Sequence, residues 1–307
     1  SKLVPPITLP NPLTPSNCSL CCEFGYIDRG DGQGHFLPIF SSLKSPIPNL
    51  QSQISNLKSS MPLLEEIEIQ LLLEGIYRYY GFDFRNYAMP SLKRRIWNII
   101  RAEKLHSVSG LLEKVLHQPD CMERLLLGLS VNVTSMFRDP SFYMAFRKTV
   151  IPLLRTYPFI RIWHAGCSTG EEVYSLAILL DEENLYHRCR IYGTDINEVA
   201  LRKAKNGIYP LHSMRDYSQN YFESGGQQSL SDYYIAAYDN AIFRSFLKEN
   251  IIFSAHNLVT DASFNEFNVI LCRNVLIYFN QDLQARVHKL LYDSLRIFGI
   301  LDLGRQE

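Results

Sequence analysis

Apolar and polar positions follow a helical rhythm in the first part of the chain. Apolar residues recur every three or four positions over 63–81, and this segment stops at a glycine. That spacing is typical of an amphipathic helix with a glycine at its end. The same rhythm predicts helices over 91–102, 108–117 and 120–129. Together these segments predict a small helical domain over 62–129.

Short apolar runs replace this rhythm further along the chain and alternate with amphipathic helices. The runs predicted as strands cover 161–165, 190–196, 251–255, 267–271 and 299–304. A continuous apolar run such as FNVIL is typical of a strand that is buried on both faces. Strands that alternate with helices predict an α/β fold with a parallel sheet, here over 141–307.

One stretch interrupts that alternation and predicts an inserted subdomain. Two apolar runs, 233–238 and 242–247, flank Asp239 and Asn240, which favours a hairpin. Together with a short helix, the hairpin predicts a small antiparallel β-subdomain over about 216–249.

Residues 1–61 differ from the rest of the chain. They are dense in Pro, Ser, Asn and Gly and show no sustained period, so we predict an extended or disordered arm. Cys18, Cys21 and Cys22 form a CxxCC cluster in it. A zinc site needs a second ligand pair at suitable spacing, and His35 alone gives weak support. We therefore interpret these cysteines as free thiols and predict no metal.

The most informative stretch is RIWHAGCSTGEEVYS, residues 161–175. It predicts a strand, a turn of small residues and a helix, an arrangement that forms ligand crevices in open α/β sheets. Glu171 and Glu172 begin the helix, where acids oppose a bound phosphate, and no Lys-Ser/Thr pair of a P-loop follows. The stretch indicates either an ordinary turn or a pocket for a cationic or hydroxyl-rich ligand.

Asp195 ends the second predicted strand, where an acid hydrogen-bonds the hydroxyls of a ribose in this architecture. The alternative is that Asp195 caps the next helix. Because Asn197 is also available as that cap, we favour the ligand role.

The segment 130–140 is too polar for a core strand and too irregular for a helix. Asn132, Thr134 and Arg138 alternate in it at short spacing. An extended segment could present several of these side chains to one cavity, although the stretch could also be only a linker.

Composition limits the classes of partner. The chain has 307 residues, with 31 Lys and Arg against 31 Asp and Glu, so its formal net charge is zero. Neither a nucleic-acid partner nor a membrane partner is indicated by such a balance. No apolar run approaches a membrane span, no usual signal peptide is present, and the seven cysteines are mostly scattered. We therefore expect a cytoplasmic protein.

Three motifs in the same order, NVTSMFRD, AGCSTGEEVYS with GTDI downstream, and CRNVLIYF, together resemble one family. They are similar to the CheR-type chemoreceptor glutamate methyltransferases, and the resemblance runs from about residue 64 to 307. It implies a Rossmann-like methyltransferase sheet and S-adenosylmethionine as the methyl donor. The reaction it implies turns glutamate γ-carboxylates of chemoreceptors into methyl esters and leaves S-adenosylhomocysteine.

The resemblance also implies roles for individual residues. The cofactor-binding positions that it implies are Asn132, Thr134, Arg138, Glu172, Asp195, Asn257, Leu258, Arg273 and Asn274. Arg138 and Tyr278 would lie near the transferred methyl group and orient the substrate carboxylate. Asp195 would bind the ribose, and Asn257 with Leu258 would flank the adenine.

The same resemblance implies that the helical domain docks on the methylation helices of the receptor. Lys93, Arg94, Arg95 and Arg101 are the candidate docking residues. The inserted β-subdomain resembles one that in some members binds a peptide at the receptor tail. The family continues with another strand pair after Gly304, so we expect the sheet to lack its last strands. The alternatives are a methyltransferase with another acceptor and a non-catalytic module that binds the cofactor or a receptor.

Overall fold

The computed structural model describes residues 63–130 and 134–304. The predicted arm 1–61, its CxxCC cluster and Asn132 lie outside these residues. The predicted domain boundaries stay predictions.

Four helices begin the described chain: α1 (Leu64–Tyr80), α2 (Met89–Ala102), α3 (Val108–His117) and α4 (Pro119–Leu129). Gly81 ends α1 in the left-handed conformation, with φ 79°, and its N–H donates to the Tyr77 carbonyl. The apolar faces of the four helices pack into one core that includes Ile69, Ile96, Leu111 and Leu125, all fully buried. The helical rhythm of the sequence is therefore confirmed, with bounds that move by one or two residues.

The elements that follow are α5 (Pro140–Leu154), β1 (Ile160–Ala165), α6 (Glu171–Glu182), β2 (Cys189–Asp195), α7 (Glu198–Asn206), β3 (Ile208–Pro210), α8 (Met214–Glu223), β4 (Tyr234–Ala237), β5 (Asn240–Phe243), β6 (Ile251–Ala255), β7 (Phe267–Cys272), α9 (Gln281–Asp293) and β8 (Leu295–Leu303).

Five of these strands form one sheet in the order β6-β2-β1-β7-β8, with every neighbouring pair parallel. All six residues of β7 are buried, as its continuous apolar run predicted. The chain runs outward from β1 through β2 to β6, then crosses to β7 on the other side of β1. This reversal places a switch point between β1 and β7, and the crevice at such a point is where open α/β sheets bind ligands.

A second, antiparallel sheet has the order β3-β5-β4. The hairpin was predicted, but its turn is not Asp239-Asn240: Ala237 pairs with Asn240, so Tyr238 and Asp239 make the turn. Tyr238 takes the left-handed conformation there, with φ 53°. The third strand, β3, belongs to the same sheet, since Ile208 pairs with Ile242 of β5. In the chain it lies before the predicted insertion.

The helical region is joined to the parallel sheet by a short backbone bridge. Tyr87 pairs antiparallel with Phe279. The Ala88 N–H donates to the Tyr278 carbonyl at 2.8 Å, and the Asn280 N–H donates to the Asn86 carbonyl at 2.9 Å. This bridge fixes the end of the helical region against the loop that follows β7.

Candidate functional site

The turn after β1 lies tightly against β2. The N–H groups of Gly166 and Cys167 both donate to the Thr194 carbonyl, at 2.8 and 2.9 Å. Gly166 has φ 73°, and a Cβ there would lie 2.4 Å from Cγ2 of Val275. Only glycine combines that conformation with so close an approach.

Asp195 is held by the backbone at the end of β2. Its Oδ2 accepts from the Ser168 N–H at 2.8 Å, and its Oδ1 accepts from the Asn197 N–H at 2.9 Å. Burial raises the pKa of Asp195 above its ordinary value, although these backbone donors favour the ionised form. Asn197 is the N-cap of α7, since its side chain accepts from the N–H groups of Val199 and Ala200. Asn197, the alternative cap that the sequence offers, therefore caps this helix.

A cleft opens above the carboxyl ends of the strands. Its walls come from the helical region, the β1 and β2 turns and the loops after β6 and β7. The sequence-predicted residues among its lining are Arg95, Asp195, Asn257, Leu258, Asn274 and Tyr278. Ser168, Asn197 and His256 also line it and were not predicted as site residues. His256 directly follows β6, so its position at a strand end was the signal available in the sequence.

Arg95 lies in this cleft and not on an exposed basic face. The residue is only 8% exposed, and its Nη1 donates to the Leu129 carbonyl at 2.5 Å. Its guanidinium lies 4.5 Å from the centre of the Tyr278 ring. Burial lowers the pKa of Arg95, but a guanidinium stays charged in proteins. Arg95 is therefore buried, since the loop after β7 covers it, and its docking role stays a prediction.

The other three predicted docking residues lie apart from the cleft lining. Arg94 and Arg101 are exposed on α2, and Lys93 is half-buried. The ammonium group of Lys93 pairs with Glu65, and an Arg101 N–H donates to the Asn98 side chain at 2.5 Å. This face of α2 therefore offers two exposed guanidinium groups.

Glu172 and Arg273 belong to a buried ionic cluster beside the cleft. Arg273 Nη1 lies 3.0 Å from Glu172 Oε1, and its other nitrogens lie 3.1 Å from Asp139 and 3.3 Å from Asp302. His164 Nε2 lies 3.3 Å from the second oxygen of Glu172. Sequence reasoning missed His164, and a polar residue in the apolar run of β1 was its only signal.

Opposing effects set the protonation of Glu172. Burial raises its pKa, while the hydrogen bond from His164 and the charges of Arg273 and Arg138 lower it, and the lowering prevails. The carboxylate of Glu172 is thus ionised and held by neighbouring side chains. The predicted residues Glu172, Arg273 and Arg138 consequently share one electrostatic environment.

Arg138 lies in an irregular segment that is anchored in the core. The Phe137 N–H donates to Ser175 Oγ at 2.9 Å, and the Phe137 ring packs 5.0 Å from that of Tyr143. Thr134 and Arg138 are both half-buried. Anchoring by Phe137 fixes the backbone from which the Arg138 side chain departs.

Several unusual backbone conformations lie at or near this edge of the sheet. Phe137, Asp139, Ser168 and Asn274 all have positive φ, between 50° and 62°. Non-glycine residues seldom adopt this conformation, and such strain is often found at functional sites. Ser168 and Asn274 line the cleft, and Asp139 belongs to the ionic cluster.

No helix within residues 63–130 and 134–304 combines the length and the apolar character needed to cross a membrane.

Comparison with known proteins identifies the family. Residues 132–307 match the model of the CheR methyltransferase, SAM binding domain, and residues 67–130 match that of the CheR methyltransferase, all-alpha domain. A protein of Pseudomonas putida named methyltransferase Cher3 is 52% identical over 242 residues, which cover 79% of this chain and 89% of that protein.

Two further relatives are named chemotaxis protein methyltransferase. The protein from Listeria monocytogenes is 28% identical, over 76% of this chain and 86% of its own length. The protein from Salmonella typhimurium is 25% identical, over 86% of this chain and 92% of its own length. The chain therefore belongs to the CheR methyltransferase family, whose S-adenosylmethionine-binding domain occupies its residues 132–307.

Proposed function

We propose that this protein transfers a methyl group from S-adenosylmethionine to the γ-carboxylates of glutamates in chemoreceptors. The observation that carries the proposal is that Asp195 and Tyr278 line the same cleft, in a chain of this family. The names of the relatives, chemotaxis protein methyltransferase, support a chemoreceptor as the acceptor.

The cleft residues fit the cofactor. The cleft combines apolar lining residues such as Leu129 and Val259 with a few polar side chains, as small-molecule sites usually do. An ionised carboxylate has about four acceptor sites, and the backbone N–H groups of Ser168, Asn197 and Ile196 use up to three of them on Asp195, so at least one remains for a ribose hydroxyl. Asn257 and Leu258, which follow the neighbouring strand β6, would hold the adenine.

The remaining predicted cofactor contacts would act around the charged end of the ligand. Asn274 lines the cleft, whereas Glu172 and Arg273 lie in the ionic cluster behind it. We infer that Asn274 contacts the ligand and that Glu172 and Arg273 hold the shape of the site. Thr134 and Arg138 would complete it from the segment before α5.

The chemistry requires orientation more than proton transfer. When bound, the sulfonium of the cofactor supplies an activated methyl group. A glutamate side chain is ionised near neutral pH and is itself the nucleophile. Arg138 would pair with that carboxylate and Tyr278 would donate its hydroxyl, holding it in line with the methyl group. Too strong a pair would weaken the nucleophile, so we expect positioning by these residues without full neutralisation.

Two surfaces are proposed to bind the receptor. The guanidinium groups of Arg94 and Arg101, with Lys93, would face acidic methylation helices. In the small sheet β4 lies at an edge, and its Ile235 is 56% exposed. An extended receptor-tail peptide could pair with such an edge. The cytoplasmic location that the sequence predicts belongs to the same proposal.

The test is methylation of receptor-containing membranes with S-adenosylmethionine that carries a labelled methyl group. We expect label on the receptor that mild base releases as methanol, since carboxyl methyl esters hydrolyse readily. Asp195→Asn should abolish labelling, whereas Asp293→Asn, an exposed acid paired with Lys289 on α9, should not change it.

Other outcomes would replace the proposal. Base-stable label would indicate a methyltransferase with a different acceptor atom. Calorimetric binding of S-adenosylhomocysteine without any transfer would indicate the non-catalytic module. A receptor whose methylation-site glutamates are changed to alanine should accept no label, and labelling of that receptor would refute the glutamate assignment.

A further inference from the structure

Tyr278 is held by the helical region through both its backbone and its ring. Its carbonyl accepts from the Ala88 N–H at 2.8 Å, and the next residues pair with Asn86 and Tyr87. Its ring faces the guanidinium of Arg95 at 4.5 Å from the ring centre. The loop after β7 is also held by the Tyr278 N–H, which donates to the Val275 carbonyl at 3.2 Å, and by Gln284 of α9, whose side chain donates to the Leu276 carbonyl at 2.9 Å.

The Arg95 side chain is itself held in place by a contact other than the one with the Tyr278 ring. Its Nη1 is bonded to the carbonyl of Leu129, the last residue of α4, and the residue is 8% exposed. A planar guanidinium that is anchored and desolvated attracts an aromatic face more strongly than an exposed one does. Because the ring of Tyr278 has few rotatable bonds, contact with this plane limits the directions that its hydroxyl can take.

We propose that Arg95 is a positioning residue: it holds the Tyr278 ring for methyl transfer and so makes the helical region part of the reaction site. The proposal rests on the role of Tyr278 in the proposed function. It differs from the docking role that the sequence predicted, since Arg95 acts through Tyr278 and not on the receptor surface. Arg94, the preceding residue on α2, is exposed and does not line the cleft.

A double-mutant cycle on receptor methylation tests the proposal. Arg95→Met keeps an unbranched stem but removes the guanidinium, and we expect kcat to fall about ten- to hundredfold. The KM for the receptor and the affinity for S-adenosylhomocysteine should stay within about twofold. Arg95→Lys, which keeps the charge without the plane, should restore part of kcat.

Combining Arg95→Met with substitutions of Tyr278 tests whether Arg95 acts through Tyr278. In Tyr278→Phe, which removes the hydroxyl that Arg95 positions, Arg95→Met should have little further effect on kcat, because interacting residues give non-additive changes. The same is expected in Tyr278→Leu, which removes the ring as well. A loss of kcat on Arg95→Met in Tyr278→Phe as large as in the wild type would overturn the proposal, as would a loss expressed only in KM or in cofactor affinity.

Hydrogen exchange gives a readout that needs no acceptor. In Arg95→Met we expect the Asn280 and Ala88 amides to exchange about five- to thirtyfold faster, since the contact that fixes their segment is lost. Arg78→Met, which removes an exposed arginine of α1 that pairs with Glu74, is the matched control and should leave both amides unchanged. Unchanged exchange in Arg95→Met would refute positioning even if receptor methylation failed in the wild type.

Discussion

Replacing Gly166 by alanine should damage both the fold and the cleft. An alanine Cβ at this position would lie 2.4 Å from Cγ2 of Val275 and 3.4 Å from its Cγ1. Val275 is β-branched and cannot easily turn both methyl groups away. Gly166 also has φ 73°, which an L-residue adopts only with strain.

The conformational cost and the steric cost of this substitution can be estimated separately. The left-handed conformation costs alanine about 1–2 kcal/mol. Forcing a methyl group into a filled space costs typically about 1–3 kcal/mol more. We therefore expect Gly166→Ala to lower the free energy of unfolding by about 2–5 kcal/mol.

Gly81→Ala separates the two costs. Gly81 has φ 79°, close to that of Gly166, but an added Cβ would meet no atom within 4 Å. Its substitution should therefore cost only the conformational part, about 1–2 kcal/mol. The assay is equilibrium unfolding in urea, followed by circular dichroism, of the wild type and both variants.

The ligand response gives the second half of this test. Displacing Val275 shifts Asn274 and Tyr278, which line the cleft, so Gly166→Ala should also weaken calorimetric binding of S-adenosylhomocysteine. Gly81→Ala should leave that affinity unchanged, because Gly81 lies outside the cleft lining. Equal unfolding free energies for the two variants would refute the steric reasoning.

Three further predictions concern charge and capping. Asn197→Ala removes the N-cap of α7 and should lower the free energy of unfolding by about 1 kcal/mol and weaken cofactor binding. Ser107→Ala removes the N-cap of α3 and should cost a similar amount of stability without affecting binding. Urea unfolding and calorimetry compare the two variants, and equal effects on cofactor binding would contradict the role of the cleft. Because the pKa of Glu172 is lowered from 4.5, its carboxylate contributes fully to stability above that pH, and this contribution is lost as the pH falls through the folded pKa. Glu172→Gln should remove this part of the acid unfolding profile. An unchanged profile would contradict the assignment of Glu172 to the ionic cluster as an ionised carboxylate. Burial raises the pKa of Asp195 from 3.8, so its carboxylate becomes protonated at a higher pH than that of an ordinary aspartate. Cofactor affinity should therefore already decline above pH 3.8 as the pH falls. Calorimetry that finds no decline above pH 3.8 would contradict the ribose role of Asp195.

Much of the fold could be predicted because the determinants are local. The buried run 267–272 and the left-handed glycine that ends α1 depend on residues close together in the chain. The same holds for the cap of α7, where Asn197 bonds two backbone amides that follow it directly. The strand-turn-helix motif located the cleft for the same reason, since it is one continuous stretch.

Other features depended on pairing between distant segments. The hairpin turn moved to Tyr238 and Asp239 because the register is set by the whole antiparallel sheet, including β3, which the prediction had left outside the insertion. The ionic cluster of Glu172 joins residues from five separate segments, and no spacing along the chain signals that Arg273 meets Asp139 and Asp302.

Arg95 shows the limit most clearly. On α2 it stands next to Lys93 and Arg94 in a basic run, and charge pattern alone treats the three residues alike. By itself, the sequence determined a helix with basic residues and a strand followed by CRNVLIYF. Only the tertiary structure decided that one of these side chains is buried against Tyr278, because burial depends on which distant segment covers each face of the helix.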